Sequence, residues 1–349
     1  MSDILTNRGG GKRIEYIDAL RGFTMILVVM AHVCQFSFNT SSAILSFFSV
    51  FRMPLFFTIS GFVLYKPQMV FDGTTLMSFL KKKFRVQIVP TVVFFVLFEW
   101  ILNHDFMGGL FSGAKHGYWF TLALFYYFVI YALIKYFCLR VKSTNIVENA
   151  ILITMGIILY VLPKFLHIVL GFNSATGDLF SISELCYFIF FVLGIFIRKH
   201  YNTFIILLNK PAFVTTLICV NIVGYFVYSK YHFNEAIRFM FYFILRISGV
   251  IMAIAFFFRY EDSFSSTKRL GRVFQFIGRR TLDIYLLHYF FLPRGMQTLI
   301  SSLNINSMPV IYFFIVFLTA ALVIAFCLAT SSLLRTSPAL ARWLFGAKK

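Results

Sequence analysis

Carboxylates are scarce in this chain. Its 349 residues include 13 Asp and Glu against 32 Lys and Arg, and charged side chains of both signs make up only 13% of the total. A soluble domain carries about a quarter charged residues, so there is too little polar surface here to cover a water-exposed globule. The five cysteines, Cys34, Cys138, Cys186, Cys219 and Cys327, lie in or beside apolar runs without CxxC or ligand-like spacing. They read as packing residues, with neither a disulfide framework nor a metal site. Eight Pro and 20 Gly are too few for a disordered or collagenous chain. Internal repeats are missing too. No small-residue cleavage site follows the first apolar segment, which therefore reads as a retained helix and not a cleaved signal. What is abundant is apolar surface: 60% of residues are hydrophobic and 20% aromatic, with 48 Phe and 18 Tyr. Such a share suits lipid-facing and interfacial helices.

The expected fold class is therefore an all-α polytopic membrane protein. At one span per ~20 apolar residues the chain has room for about ten helices and no separate soluble domain. Apolar runs predict them at 17 to 38, 43 to 65, 86 to 103, 118 to 138, 147 to 163, 184 to 197, 211 to 229, 237 to 258, 273 to 292 and 309 to 333. The loop 164 to 183, with its HIVLGF stretch, is expected to dip into the membrane or cap it. Residues 1–13 form an N-terminal tail, 14–334 a transmembrane domain and 335–349 a C-terminal tail. Lys and Arg collect on the cytoplasmic side of a bilayer. With the N-terminus inside, 24 of them fall on the inner side and five, Lys115, Lys164, Lys230, Arg238 and Arg294, on the outer. Both termini are thus expected in the cytoplasm, and the net charge of +19 is a topology signal that leaves nucleic acid no role.

Ionisable groups at bilayer depth cost ~2.5 to 3.5 kcal/mol on insertion scales, so they face a cavity or a partner. Arg21 and His32 on the first helix, Arg52 on the second, Arg246 on the eighth and His288 on the ninth are such groups. Three are fixed cations, and a cavity lined by cations suits a polyanionic ligand. Arg21 and His32 are eleven residues apart, three helical turns within about 20° and ~16 Å along the axis. One stripe therefore joins the inner surface to an imidazole within the membrane, where histidine can exchange a proton near neutral pH. A snorkelling Arg and a His bonded to a neighbouring helix would give the same pattern. Asp18 is placed either to pair with Arg21 or to cap the helix start.

On the ninth helix Thr281, Tyr285 and His288 make a polar stripe at i, i+4, i+7, and Asp283 is spaced to pair with Arg279 or Arg280. Arg279 and Arg280 at its inner end, and Lys81, Lys82, Lys83 and Arg85 before the third helix, are placed for phosphates or for lipid headgroups.

Five stretches together carry a family resemblance. IDALRGFTMILVVMAH, with Arg21, ten residues and His32, resembles the opening helix of the acyltransferase 3 family of integral membrane acyltransferases. FRMPLFFTISGF, KKKFRVQIVP, YWFTLALF and IGRRTLDIYLLHYF resemble its later motifs, in family order, from residue 14 to about 291. Arg52 departs from the pattern, since relatives often have His before Met53 and Pro54. The resemblance implies transfer of an acyl group, usually acetyl, from cytoplasmic acyl-CoA to a hydroxyl of a glycan, glycolipid or related envelope molecule, by a multi-pass protein of the inner membrane with no metal. It implies donor contacts at Arg21, Arg85, Arg279 and Arg280, and a donor or acceptor contact at Arg52. His32 becomes the general base or the site that receives the acyl group. His288 and Tyr285 orient that base or stabilise an oxyanion.

Two other classes compete. A transporter or flippase for an anionic solute also lines its path with Arg and His, although matching Gly and Pro interruptions in two halves are missing. A scaffold subunit gains little from buried cations.

Overall fold

In hydrocarbon every backbone N–H and C=O must be satisfied within its own segment, which restricts an apolar chain of this kind to helices. The computed structural model describes residues 13–39, 43–170, 180–302 and 308–346, and among these the regular elements are all helical, with no strand. The principal helices are α1 (Glu15–His32, continued by a π turn Val33–Phe38), α2 (Ala43–Leu64), α3 (Gly73–Asn103), α4 (Trp119–Arg140), α5 (Asn145–Leu170), α6 (Phe188–Lys199), α7 (Pro211–Lys230), α8 (Glu235–Arg259), α9 (Arg269–Arg279), α10 (Thr281–Phe291) and α11 (Pro309–Leu334). Eight segments are long and apolar enough to cross a membrane as single helices: α1 with its π turn, α2 to α5, α7, α8 and α11.

Three boundaries differ from the sequence expectation. The third helix starts at Gly73, well before its apolar run, because Asp72 caps it. The Asp72 carboxylate accepts the Thr74 and Thr75 amides at 2.9 and 2.8 Å, and Thr75 Oγ1 accepts the Asp72 amide in return. These bonds favour the ionised form and hold the Asp72 carboxyl down at about 2. The cap therefore keeps its strength above the ordinary carboxylate range and loses it as pH falls towards 2. The basic run Lys81–Lys83 consequently lies on helix and not in a loop. At the fifth helix, the expected loop from residue 164 is helical through Leu170, so HIVLGF begins on α5; residues 171–179 lie outside the described residues. The predicted ninth helix is two. It breaks at Arg280, whose φ of −108° and ψ of 19° are not helical. Arg280 Nη1 there donates to Asp283 Oδ2 at 3.2 Å, so that an acid in the first turn of α10 meets both a cation and the helix dipole.

The chain divides into two compact units, 1–63 with 194–327 and 64–193 with 328–349. In the second unit, aromatic rings on α4 interlock with α6, Tyr127 and Phe128 meeting Phe191 at centroid distances of 5.8 and 5.7 Å. Lys135 Nζ on α4 donates to Glu148 Oε1 on α5 at 3.1 Å. In the first unit α7 and α8 are joined by Asn221, whose amide nitrogen donates to the Leu245 carbonyl and Ser248 Oγ, both at 2.9 Å.

Helices α1 and α9 pack backbone to backbone. A Cβ added at Gly22 would overlap the Phe274 carbonyl, and one at Gly278 the Asp18 carbonyl. Small residues at a membrane crossing permit this approach. Gly278→Val should force the helices apart at a typical overpacking cost of about 1 to 3 kcal/mol. We expect a lower melting temperature in detergent and loss of activity, whereas Gly73→Ala, where an added Cβ meets nothing within 4 Å, should leave both intact.

Candidate active site

All the residues of the principal site belong to the first unit. His32 is the last α-helical residue of α1 before the π turn, a widened geometry frequent at functional sites. Asn39 ends that turn in the left-handed region at φ 50°, its amide donating to the Cys34 carbonyl. Cys34 itself accepts from Tyr312 Oη on α11 at 3.2 Å. The close α1/α9 crossing and the break at Arg280 bring α10 against α1, and with it His288 against His32.

The two imidazoles form a directed pair. His288 Nδ1 faces the carbonyl oxygens of Ile284 at 3.0 Å and Tyr285 at 2.8 Å. Carbonyls only accept, so this nitrogen carries the proton. In the neutral ring Nε2 is then an acceptor, and it receives His32 Nδ1–H at 2.8 Å. That leaves His32 Nε2 with its lone pair available, and Tyr289 Oη donates to it at 3.3 Å. The rings lie nearly parallel, 10° apart with centroids separated by 5.0 Å. His288 is fully buried and His32 only partly so, which encloses the orienting ring and leaves the working nitrogen approachable. Chemically this is a base whose tautomer is set from behind, with a histidine occupying the position a carboxylate holds in hydrolytic triads.

Arg52 lies within electrostatic range of His32, Cys34 and Tyr289. Its charge therefore acts on His32, the outer imidazole of the pair. Arg21, half-buried, sits toward the N-terminal end of α1, within electrostatic range of Asp18. Asp18 neither caps the helix nor closes on Arg21; its carboxylate pairs with Arg13, and the N-cap is Ile14. Asp283 takes Arg280 of its two candidate partners, and Arg279 is exposed, within electrostatic range of Glu15.

Tyr285 contributes its backbone carbonyl to His288, and the hydroxyl at His32 is that of Tyr289. Sequence reasoning passed over Tyr289, although it continues the Thr281 and Tyr285 stripe at i+8 and i+4. Among the basic residues of the second unit, Arg85 is exposed on a π turn of α3, Lys81 and Lys82 are exposed, and Lys83 lies over the Phe128 ring at 3.7 Å.

The second unit also holds a polar cluster. Buried Glu99 binds His116 Nδ1 at 2.5 Å and Asn103 Nδ2 at 2.8 Å, with Gly109 packed directly against both the carboxylate and the imidazole. Loop closure over 17 residues, with left-handed backbone at His104, Lys115 and His116, brings these groups together.

No curated protein and no solved structure matches the chain at a significant level. A family model, described as an acyltransferase domain, matches residues 14–330 and so takes in α1 with Arg21 and His32, α10 with His288 and Tyr289, and nearly all of α11. With that match across most of a helical, membrane-spanning chain, the protein belongs to the acyltransferase 3 family and is a membrane acyltransferase.

Proposed function

We propose that the protein moves an acyl group, acetyl in the first instance, from cytoplasmic acyl-CoA to a hydroxyl of a cell-envelope or extracellular glycan, as a multi-pass protein of the inner membrane. The observation that carries this reading is the lone pair of His32 Nε2, set by His288 and meeting a hydroxyl at 3.3 Å. The Tyr289 hydroxyl stands where an acceptor hydroxyl would stand, which favours a general base over an acylated histidine. The acceptor oxygen attacks the thioester carbonyl carbon as its proton passes to His32 Nε2. Collapse of the tetrahedral intermediate breaks the C–S bond, and the proton returns from His32 to the departing CoA sulfur. Arg52, whose charge reaches His32, stabilises the oxyanion in this scheme.

The 24 to five distribution of Lys and Arg puts the N-terminal end of α1 inside. Arg21, Arg279 and Arg280, all of the first unit, then meet the donor phosphates. The test is CoA thiol release by purified protein given acetyl-CoA, with and without envelope glycan fractions. Acceptor-dependent release supports the proposal; uptake of an anionic solute into proteoliposomes without any thiol release would favour the transporter. An Arg to phosphate contact is typically worth ~1.5 to 3 kcal/mol, and ~1.4 kcal/mol is tenfold. Arg21→Ala should therefore weaken acetyl-CoA binding about tenfold or more. Unchanged affinity would return Arg21 to a topology signal.

A further inference from the structure

Helix α9 presents an exposed arc that the scheme above does not use. Its opposite face, with Gly271, Gln275, Ile277 and Gly278, is buried against the protein. On the exposed arc Leu270, Val273 and Phe276 recur at i, i+3, i+6 and are 51%, 56% and 42% exposed. Arg269 and Arg272, each one position earlier, make a second row beside them, and Lys268 stands at the N-cap. All three cations are exposed, and among the described residues their side chains have no hydrogen-bond or ion-pair partner. Arg279 is set apart from them, since its charge lies within range of Glu15.

The depth of this arc follows from what α9 touches. The Glu15 carboxylate accepts from the Ser266 amide and hydroxyl at 2.6 and 2.8 Å, just before α9, and from Gln275 Nε2 at 3.4 Å, well along it. Gly278 then abuts Asp18 and Gly22. Both ends of α9 are thus held at the first two turns of α1, the end that the Lys and Arg distribution puts inside. Eleven residues make only ~16 Å of helix, too short to span. An exposed apolar row is unfavourable in water and a row of cations is unfavourable in hydrocarbon. Only the boundary between acyl chains and headgroups suits both.

We propose that the exposed arc of α9 is a docking surface for anionic phospholipid of the inner leaflet. Leu270, Val273 and Phe276 lie among the acyl chains, and Lys268, Arg269 and Arg272 meet headgroup phosphates. Three cations without an acidic partner supply the charge complementarity. A soluble polyanion such as the CoA donor would use the cations but leave the apolar row in water. The bound lipid holds α9 in place, and with it the glycine crossing on α1.

To test this, purified protein in detergent is titrated with phosphatidylglycerol or phosphatidylcholine at low and high salt. Bound lipid is counted by native mass spectrometry, and melting temperature and acetyl-CoA affinity are recorded on the same samples. Phosphatidylglycerol should bind more tightly than phosphatidylcholine and raise the melting temperature, and high salt should shrink both differences. A basic residue beside an anionic leaflet is typically worth about fivefold in affinity. Arg269→Gln and Arg272→Gln should therefore each weaken phosphatidylglycerol binding by about that factor, and the triple variant that adds Lys268→Gln should lose the preference, with acetyl-CoA affinity unchanged. Because these side chains have no protein partner, the variants should melt with the wild type in phosphatidylcholine, which separates lost lipid from a lost fold. Equal binding of the two lipids by the wild type, an undiminished preference in the triple variant, or phosphatidylglycerol binding without a rise in melting temperature would overturn the proposal. So would a loss of acetyl-CoA affinity in the triple variant with its lipid preference intact, which would make the arc a donor surface. Lipid binding is read without turnover, so an absence of thiol release would count against acyl transfer alone.

Discussion

His32→Ala is expected to abolish measurable acyl transfer while the protein still inserts and still binds acetyl-CoA. Loss of a general base typically costs about 10² to 10⁴ in rate. Here the alanine also leaves His288 Nε2 without its donor. Nothing in the donor contacts assigned to Arg21 depends on the imidazole, so the loss should fall on kcat and not on acetyl-CoA affinity. The measurement is acceptor acylation by mass spectrometry in cells expressing each variant at matched levels, with binding checked on purified protein. Near-normal acylation would remove His32 from the mechanism and leave His288 as the leading base. A labelled acyl group covalently attached to wild-type His32 after a brief exposure to acetyl-CoA would replace general-base chemistry with a two-step transfer.

The second large effect is expected at His288, acting through His32. His288→Leu removes the acceptor that holds the proton on His32 Nδ1, so the ring can turn its N–H toward the acceptor hydroxyl and present no lone pair. A wrong tautomer in a hydrolytic triad is worth as much as about 10⁴ in rate; with a neutral histidine as orienter we expect a loss on the order of 10², smaller than that of His32→Ala. His288→Asn should recover part of the activity, because its side-chain oxygen can accept the same hydrogen bond. The loss should appear in kcat with little change in KM for acetyl-CoA, and the low-pH limb of the rate profile, where His32 becomes protonated, should shift. Equal losses in the Leu and Asn variants, with an unchanged pH profile, would reduce His288 to packing.

Much of the architecture is legible in the sequence. Hydrophobic runs located eight helices of spanning length because bilayer thickness demands long apolar stretches whatever their neighbours are, while the predicted sixth and ninth spans fall on shorter helices. The least accurate boundaries lay where local polar chemistry overrides hydropathy. Asp72 caps a helix well before its apolar run begins, and Arg280 breaks one predicted helix into two by pairing with Asp283. Arg21, His32 and His288 stood out because ionisable groups are costly in hydrocarbon, a fact readable from one residue at a time.

Composition and spacing by themselves determined a helical membrane protein and the stripe from Arg21 to His32; five motifs carried a resemblance to the acyltransferase 3 family, which the family model then matched over residues 14–330. Helix phase can say that two residues share a face, since 3.6 residues per turn is a property of a single chain segment. It cannot say what that face meets. Only the tertiary structure decided that His288 lies behind His32 at 2.8 Å, that Tyr289 and not Tyr285 offers the hydroxyl, and that the charge of Arg52 reaches His32. These contacts join residues up to 257 positions apart. They exist because Gly22 and Gly278 carry no side chain where two helices cross, and so allow an approach that no local pattern encodes.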